Sequence, residues 1–595
     1  MTEPRPQVDP LGTIEVLVAR LGTWARAVGE TRVAYLVLAL SFALAAALIL
    51  AWGPGQTFIQ DEWTYLVVRR GWSLETLLAP QNGHLIVLPL LLYKGLFAVF
   101  GAESHLPYQA TTVFLHLTIA TLFFYLVRGR LPLAATVALT MLVAFFGVGW
   151  DTLMSAYEIP NQTGLAAGLG MLLALQRRTR GGDLAACGLL AISLASFSVG
   201  IAFALGALLS IWLGGRTQWR RAWIVLVPSA LYVAWYLWAS KFDQTNLSAE
   251  AVSAVFSGSA DQLAAICAGI TGLFRVPGTI GLPTVLEIRP DWGYPLALIF
   301  VGLIVLHVRR APRSIYFWTL VGTLVVYLAL VAVGLDPART PEAGRYVYMG
   351  AMLVLLLIAE LGREIRWSTV TGLLAFVLFG LALMANLAQL RAGGRLFEAE
   401  GETNRATLAA LELSRDTVDP GLYAEDDSAA HSHPDMFFPA WAYFDAVRDF
   451  GSPAYGVGEL LGSGEQAREA ADQELVRALR LTTEPGGPSL RGGGAPPEPL
   501  DATDGRFARG SACLVLIPDR GRSGSFRFEI PPGGFAYRAP TGAEIEVKLA
   551  RFGDAFVTGL PSTRGSAVVA VPTDSSDVPW RAELRSGERA LACPL

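Results

Sequence analysis

Apolar runs recur along the first two thirds of the chain, separated by small clusters of arginine, and give way after residue 390 to shorter, alternating patterns. A crossing helix needs about 20 mostly apolar residues to traverse roughly 30 Å of hydrocarbon. The first run is Val33 to Ala51, and others of similar character predict spans near 106–127, 132–150, 162–176, 222–240, 292–308, 315–334, 346–362 and 368–388. Five Arg clusters punctuate them: Arg128/Arg130, Arg177-Arg178/Arg180, Arg216/Arg220-Arg221, Arg309-Arg310/Arg313 and Arg363/Arg366. Arg collects on the cytoplasmic side, so all five are expected there.

That constraint fixes the parity of what lies between. Between the outer end of the first span and Arg128 are two apolar runs, Leu85–Phe100 and Leu106–Val127. Only one can cross. The first is shorter and carries Pro89 and Lys94, so it is expected to lie along the membrane surface. Leu184–Leu213 has Arg clusters at both ends, and as one helix it would be about 45 Å long. Two short helices with a turn near Ser196–Gly200 satisfy both facts. The result is a polytopic α-helical membrane protein of about eleven crossings, with residues 1–32 cytoplasmic and the C-terminal region extracytoplasmic. No small-residue cleavage site follows the first span, which therefore reads as an anchor rather than a signal peptide.

Outside the membrane are expected the loops 52–105, 151–161 and 241–291, and the tail. Two apolar-periodic stretches of the third loop, Ala249–Val255 and Leu263–Phe274, predict short helices. In the tail, residues 391–483 carry mainly helical signals. A Gly/Pro-rich linker follows at about 484–500. Beyond it, segments such as Ala512–Ile517, Ser525–Ile530 and Glu544–Leu549 alternate apolar with polar between Gly/Pro turns, predicting a small β-sandwich over 501–595. Cys513 and Cys593 bracket that sandwich and on an oxidising face could form a disulfide. Cys187 and Cys267 read as core residues.

Composition narrows the class. Hydrophobic residues are 53% and charged residues 16% of 595, with a mean hydropathy of +0.44, whereas soluble domains carry about 25% charged residues. Residues 1–390 hold 25 Lys and Arg against 20 Asp and Glu, and residues 391–595 hold 21 against 30. An acidic tail argues against nucleic acid as a partner. Arg far outnumbers Lys, and Ala and Gly are abundant, which suggests a bacterial, GC-rich source.

The sharpest chemical feature is Phe58-Ile-Gln-Asp61-Glu62-Trp-Thr-Tyr65, about ten residues past the first span. Two adjacent carboxylates at a membrane surface are costly without a partner, substrate or cation. One could take a proton from an acceptor hydroxyl while its neighbour holds Mg²⁺ or Mn²⁺. The plainer alternative is a solvated helix start. After the pair come Pro80-Gln-Asn-Gly-His84, the surface helix with Tyr93-Lys94, and a span opening at Leu106-Pro107. A second acid, Glu158, stands in Trp150-Asp151…Tyr157-Glu158-Ile-Pro-Asn161, and Gly344-Arg345-Tyr346-Val-Tyr348 opens a late span.

In this order the motifs resemble the GT-C superfamily of polytopic membrane glycosyltransferases, particularly the protein O-mannosyltransferases and the aminoarabinose or arabinosyl transferases. The resemblance covers about residues 33–390. It departs from the family where Asn82-Gly-His84-Leu-Ile-Val-Leu-Pro89 replaces the Pro-Pro-Leu-Tyr type of sequence, and where the hairpin offers Ser196 and Ser198 in place of Lys. The resemblance implies transfer of a sugar from a polyprenyl-phosphate-linked donor to an envelope glycan, lipid or protein acceptor on the outer face of the cell membrane. It makes Asp61 the general base, Glu62 its orienter or a ligand of a divalent cation, and Glu158 a second carboxylate or ligand from the facing loop. Arg345 would clamp the donor phosphate, with Tyr346 and His84 contributing to substrate binding.

Each of these residues also has a bland explanation. Glu158 fits a loop acid, Arg345 a snorkelling interfacial side chain, His84 a structural histidine, and Lys94 a snorkelling lysine. Arg275 and Arg289 are weaker phosphate candidates. His431-Ser-His433-Pro-Asp435 has ligand-type residues at short spacing but reads better as an exposed loop. Two other functions compete with transfer: a non-catalytic GT-C-like scaffold, and a transporter or flippase of a lipid-linked intermediate, which would be expected to carry midplane ionisable residues in broken helices.

Overall fold

The computed structural model describes residues 29–595 apart from 54, 243–252, 254, 274–291, 311–313, 335–339, 425–435, 437, 487–494, 511, 540–542, 557 and 573–575. The chain divides into two compact units. One comprises Met1–Gly53, Trp72–Leu92 and Tyr108–Arg395, and the other Pro54–Gly71, Tyr93–Pro107 and Leu396–Leu595.

Among the described residues, eight helices are long and apolar enough to cross a membrane: Glu30–Trp52, Leu106–Val127, Leu133–Met154, Trp219–Phe242, Gly293–Arg310, Ile315–Val333, Gly344–Gly362 and Thr369–Leu413. Three shorter ones, Ile159–Leu175, Arg180–Leu194 and Val199–Leu213, occupy the remaining positions where crossings were expected. The protein is a multi-pass membrane protein. Val87–Phe100 has 14 residues, about 21 Å of helix, too little to span the hydrocarbon. The hairpin turn falls at 195–198, between the second and third of the short helices.

In the first unit, local chemistry sets several helix starts. Thr179 accepts a hydrogen bond from the Gly182 amide and Ser314 from the Phe317 amide, supplying partners to otherwise orphaned N–H groups. Pro160 sits in the first turn of Ile159–Leu175, where its missing N–H costs nothing. Packing then relies on small residues, as expected where lipid provides no hydrophobic drive between helices. A Cβ on Gly168 would strike the Phe203 ring, and one on Gly206 the Thr323 hydroxyl. Several buried polar groups are paired within and across helices. His116 Nδ1 meets Tyr348 Oη at 2.8 Å, and the Asn386 amide bonds Gly147 N at 2.9 Å and Ala382 O at 2.9 Å.

The last long helix departs from expectation. The sequence places the end of the final span near 388. Instead one helix runs from Thr369 to Leu413. Two of its glycines serve close approach rather than termination: side chains there would collide with the Trp150 indole at Gly393 and the Trp52 main chain at Gly394.

In the second unit, a short strand pair, β1 (Tyr423–Ala424) and β2 (Phe438–Pro439), precedes helices Ala440–Phe450 and Glu465–Ala478. The C-terminal strands form two six-stranded antiparallel sheets. Their orders are β10-β9-β13-β7-β4, with β11 also on β9, and β3-β12-β8-β14-β6-β5. Both ends of the Gly/Pro-rich stretch are strands, since β3 is Glu484–Pro485 and β4 begins at Glu498. The others are β5 (Gly505–Arg509), β6 (Leu514–Pro518), β7 (Gly524–Glu529), β8 (Gly533–Arg538), β9 (Glu544–Ala550), β10 (Thr558–Gly559), β11 (Thr563–Arg564), β12 (Ser566–Val571), β13 (Arg581–Ser586) and β14 (Ala590–Pro594). Alternate residues of β7 and β9 turn inward, as period-2 patterning requires. The Phe528 and Phe535 rings meet edge to face at 5.1 Å. The same core takes in Ala410, Ala471 and Leu475 from the helices. Asp472 ties helix to strand loop by accepting from the Arg551, Phe552 and Gly553 amides. Cys513 and Cys593 are joined in a disulfide, linking the residue before β6 to its sheet neighbour β14.

Candidate functional site

The acidic pair lies in the second unit on a short, irregular piece of backbone. Gln60 has φ 47° and ψ −118°, a conformation that L side chains rarely adopt. One helical turn, Asp61–Trp63, follows and passes directly into a turn of π-helix, Thr64–Val68. Such bulges recur at functional sites. The two carboxylates are used differently. Glu62 is fully buried. Its Oε1 accepts from Tyr93 Oη at 3.0 Å and lies 3.0 Å from His105 Nε2. Its Oε2 accepts from the Ile59 amide at 3.2 Å, while the Glu62 amide returns a bond to Ile59 O. Asp61 is half-buried, with Arg69 in electrostatic reach. Burial lowers the pKa of that guanidinium, and Tyr65 and Asp61 pull it back.

Both oxygens of Glu62 are already taken by donors, so it fits an anchor better than a metal ligand. Among the described residues no three His, Cys, Asp or Glu side chains come together to hold an ion. Lys94, expected to snorkel, instead turns inward. Its ammonium donates to Arg69 O at 2.7 Å, Arg70 O at 2.9 Å and Gly71 O at 2.8 Å. Three donors thus meet the carbonyls at the C-terminal end of the π-turn, where orphaned acceptors collect. Trp63 closes the other side, donating from Nε1 to Phe58 O at 2.7 Å and packing on Phe438. The segment carrying Asp61 is therefore held from all sides.

The first unit gathers a second set. Glu158 ends a short 3₁₀ turn, Ala156–Glu158, ahead of the helix Ile159–Leu175. It is fully buried, and its Oε2 accepts from Asn161 Nδ2. Burial pushes its pKa up to about 7, opposed by the Arg345 guanidinium and reinforced by Asp151. Arg345 has Tyr157, Tyr346, Glu158 and Asp151 around it. Asp151 stands against the start of Gly344–Gly362, so close that a Cβ on Gly344 would collide with its carboxylate, and it accepts from the Arg345 backbone amide. An acid at a helix N-terminus is electrostatically favoured. Tyr346 offers its carbonyl to Tyr327 Oη at 2.7 Å.

Of the residues singled out in the sequence, Glu158, Arg345 and Tyr346 thus come together, and Asp61 and Glu62 adjoin in the other unit. His84 takes a different partner. Gln81–His84 is a tight turn with Asn82 and Gly83 both at positive φ, the conformation Asn-Gly favours. His84 Nδ1 lies 2.6 Å from Ser198 Oγ, with its ring against Phe197 at the hairpin turn. Asp151 and Tyr157 were in view as parts of a motif but had no assigned role. The signal that could have found them is the Gly-Arg at 344–345, a glycine where a helix start must approach something closely. His431, His433, Asp435, Arg275 and Arg289 lie outside the described residues.

No protein-family model matches the chain, and no curated protein matches it. Solved structures do. The ArnT protein of Cupriavidus metallidurans, bound to undecaprenyl phosphate, is 12% identical with a TM-score of 0.43, over 68% of this chain and 84% of that one. The archaeal oligosaccharyltransferase AglB of Archaeoglobus fulgidus, with an inhibitory peptide and a dolichol-phosphate, is 11% identical with a TM-score of 0.41, over 71% and 64%. The arabinosyltransferase EmbB of Mycobacterium smegmatis is 12% identical with a TM-score of 0.37, over 93% and 64%. The chain therefore spans less than two thirds of the AglB and EmbB chains.

Proposed function

We propose that the protein is a membrane glycosyltransferase that moves a sugar from a polyprenyl-phosphate-linked donor to an acceptor hydroxyl at the outer face of the cell membrane. The observation that carries this reading is the division of labour between adjacent carboxylates. Glu62 is buried and saturated with donors, while Asp61 stands beside it, directly after the strained Gln60. A carboxylate held rigid by its neighbour is suited to general-base work, because positioning removes the cost of orienting it at the moment of reaction.

In the proposed step Asp61 takes the proton of the acceptor hydroxyl. The acceptor oxygen forms a bond to the anomeric carbon as the bond from that carbon to the phosphate oxygen breaks. The polyprenyl phosphate leaves with the electron pair, and the sugar's configuration inverts. A lipid-linked donor gives a reason for the enzyme to be embedded. The order of motifs along residues 33–390, with its resemblance to GT-C enzymes, supports the same reading.

The test compares lipid-linked sugars and envelope glycans in cells carrying the wild-type protein or Asp61→Asn at equal abundance. A glycan lacking one sugar, with its polyprenyl-phosphate donor accumulating, is the expected outcome. Unchanged glycans and lipids would move the assignment to a non-catalytic scaffold.

A further inference from the structure

The cluster around Glu158 has an excess of hydrogen-bond acceptors that nothing among the described residues answers. Ser155, Asn161 and Gln162 are all buried. Both amides spend their N–H groups on the protein, Asn161 on Glu158 Oε2 and Gln162 on the Thr152 carbonyl. Among the described residues their carbonyl oxygens, Asn161 Oδ1 and Gln162 Oε1, have no hydrogen-bond partner, and neither has Ser155 Oγ. Buried amide oxygens left unmatched are costly and rare. Two such amide oxygens and a hydroxyl within eight residues of chain, on the segment that carries Glu158, mark a place that another molecule completes.

Charge says which kind of molecule. Arg345 is the cation of the cluster, and Asp151 and Glu158 both act on it. With Asp151 alone enough to balance the one guanidinium, and Glu158 adding negative charge whenever it ionises, no positive charge is left over among the described residues of the cluster to hold a phosphate. An anion would also meet carbonyl oxygens that can only accept. The partner that fits brings donors: the hydroxyl groups of a sugar, or its amino group.

We propose that Ser155, Asn161 and Gln162, with Glu158, form the pocket for the sugar itself, and that Arg345 organises this pocket instead of clamping the donor phosphate. The proposal rests on the glycosyltransferase reading for its biological setting, but not for its chemistry. Arg345 and Asp151 hold the wall in place, and the amide oxygens select the pattern of hydroxyls.

The test uses the full chain in lipid nanodiscs and saturation-transfer NMR with methyl glycosides of glucose, mannose, arabinose and galactosamine. Undecaprenyl phosphate binding is measured separately. At least one glycoside should be saturated by the wild-type protein. Asn161→Leu and Gln162→Met should each weaken that glycoside roughly fivefold or more, as loss of about one net hydrogen bond requires, with undecaprenyl phosphate affinity unchanged. Ser155→Ala removes a single hydroxyl and serves as the third variant if either amide replacement fails a melting check. No glycoside bound by the wild type, an undiminished signal in the variants that fold, or a parallel loss of undecaprenyl phosphate would each overturn the pocket. Failure of the wild type to bind undecaprenyl phosphate, with a glycoside still bound and sensitive to Asn161→Leu, would instead sink the donor reading and leave the sugar pocket standing.

Discussion

Tyr93 Oη donates to Glu62 Oε1 across 3.0 Å, with both side chains buried. That bond ties Tyr93 to the turn bearing Asp61, and it separates two roles that adjacency in sequence leaves merged. Removing the Glu62 carboxylate takes an acceptor from the Tyr93 hydroxyl, the Ile59 amide and His105. Glu62→Ala should therefore destabilise the second unit by on the order of 3 kcal/mol, and Glu62→Gln by distinctly less. Asp61→Asn should leave melting unchanged and reduce transfer by a factor of at least about 100, the scale of general-base catalysis. Thermal unfolding and turnover measured on the same preparations separate the two. Equal melting losses at 61 and 62 would refute the division.

Gln60 supplies a second test of how Asp61 is held. Its φ of 47° with ψ −118° is comfortable for glycine and strained for any residue with a Cβ, at a cost of about 1–3 kcal/mol. Gln60→Gly should raise the unfolding free energy by about 1 kcal/mol, because relief of strain outweighs the extra freedom of an unfolded glycine. Gln60→Ala keeps the Cβ and should give no gain. Identical melting of the two variants would show that position 60 stores no strain.

The helices were legible because their signal is local. Lipid-crossing length and Arg clusters put crossings where helices stand, and that Val87–Phe100 falls short of a crossing was apparent from Pro89, Lys94 and parity. Period-2 patterning gave the sandwich. What escaped depends on contacts distant in sequence. The final span looks complete near 388 until Gly393 and Gly394 are found packed against Trp150 and Trp52. Lys94 looks like a snorkelling side chain until three carbonyls from residues 69–71 converge on it. Arg345 looks like an isolated cation until Tyr157, Tyr346, Glu158 and Asp151 are found around it. In each case one residue's meaning is set by a partner whose position only the fold supplies.

Glu158 should make stability depend on pH. Burial pushes its pKa up to about 7 from an ordinary value near 4.5. The unfolded chain therefore loses its proton before the folded one does. Between about pH 4.5 and 7 the folded state binds more protons, so this group's contribution to stability falls as pH rises through that window. Glu158→Gln removes the ionisation and leaves Asp151 to balance Arg345. Melting of the variant should match the wild type near pH 4.5 and exceed it at pH 8, by on the order of 1–3 kcal/mol. A constant difference across that range would mean that Glu158 does not titrate there.

The disulfide between Cys513 and Cys593 closes 80 residues of chain, and in the chain-entropy account a loop of that length stabilises the folded state by about 4 kcal/mol. The two other cysteines, Cys187 and Cys267, are free, so labelling is best read in a Cys187→Ala/Cys267→Ala background. There the native protein should take up no maleimide before reduction and two equivalents after it. Cys513→Ser/Cys593→Ser should lower the melting temperature of the second unit, whose strands β6 and β14 the bond joins, while the helical first unit melts as before. Prompt labelling without reductant would show that the bond is absent from the native protein. An intact bond whose removal leaves melting unchanged would show that the antiparallel pairing of Leu514 with Ala592 already holds these strands together.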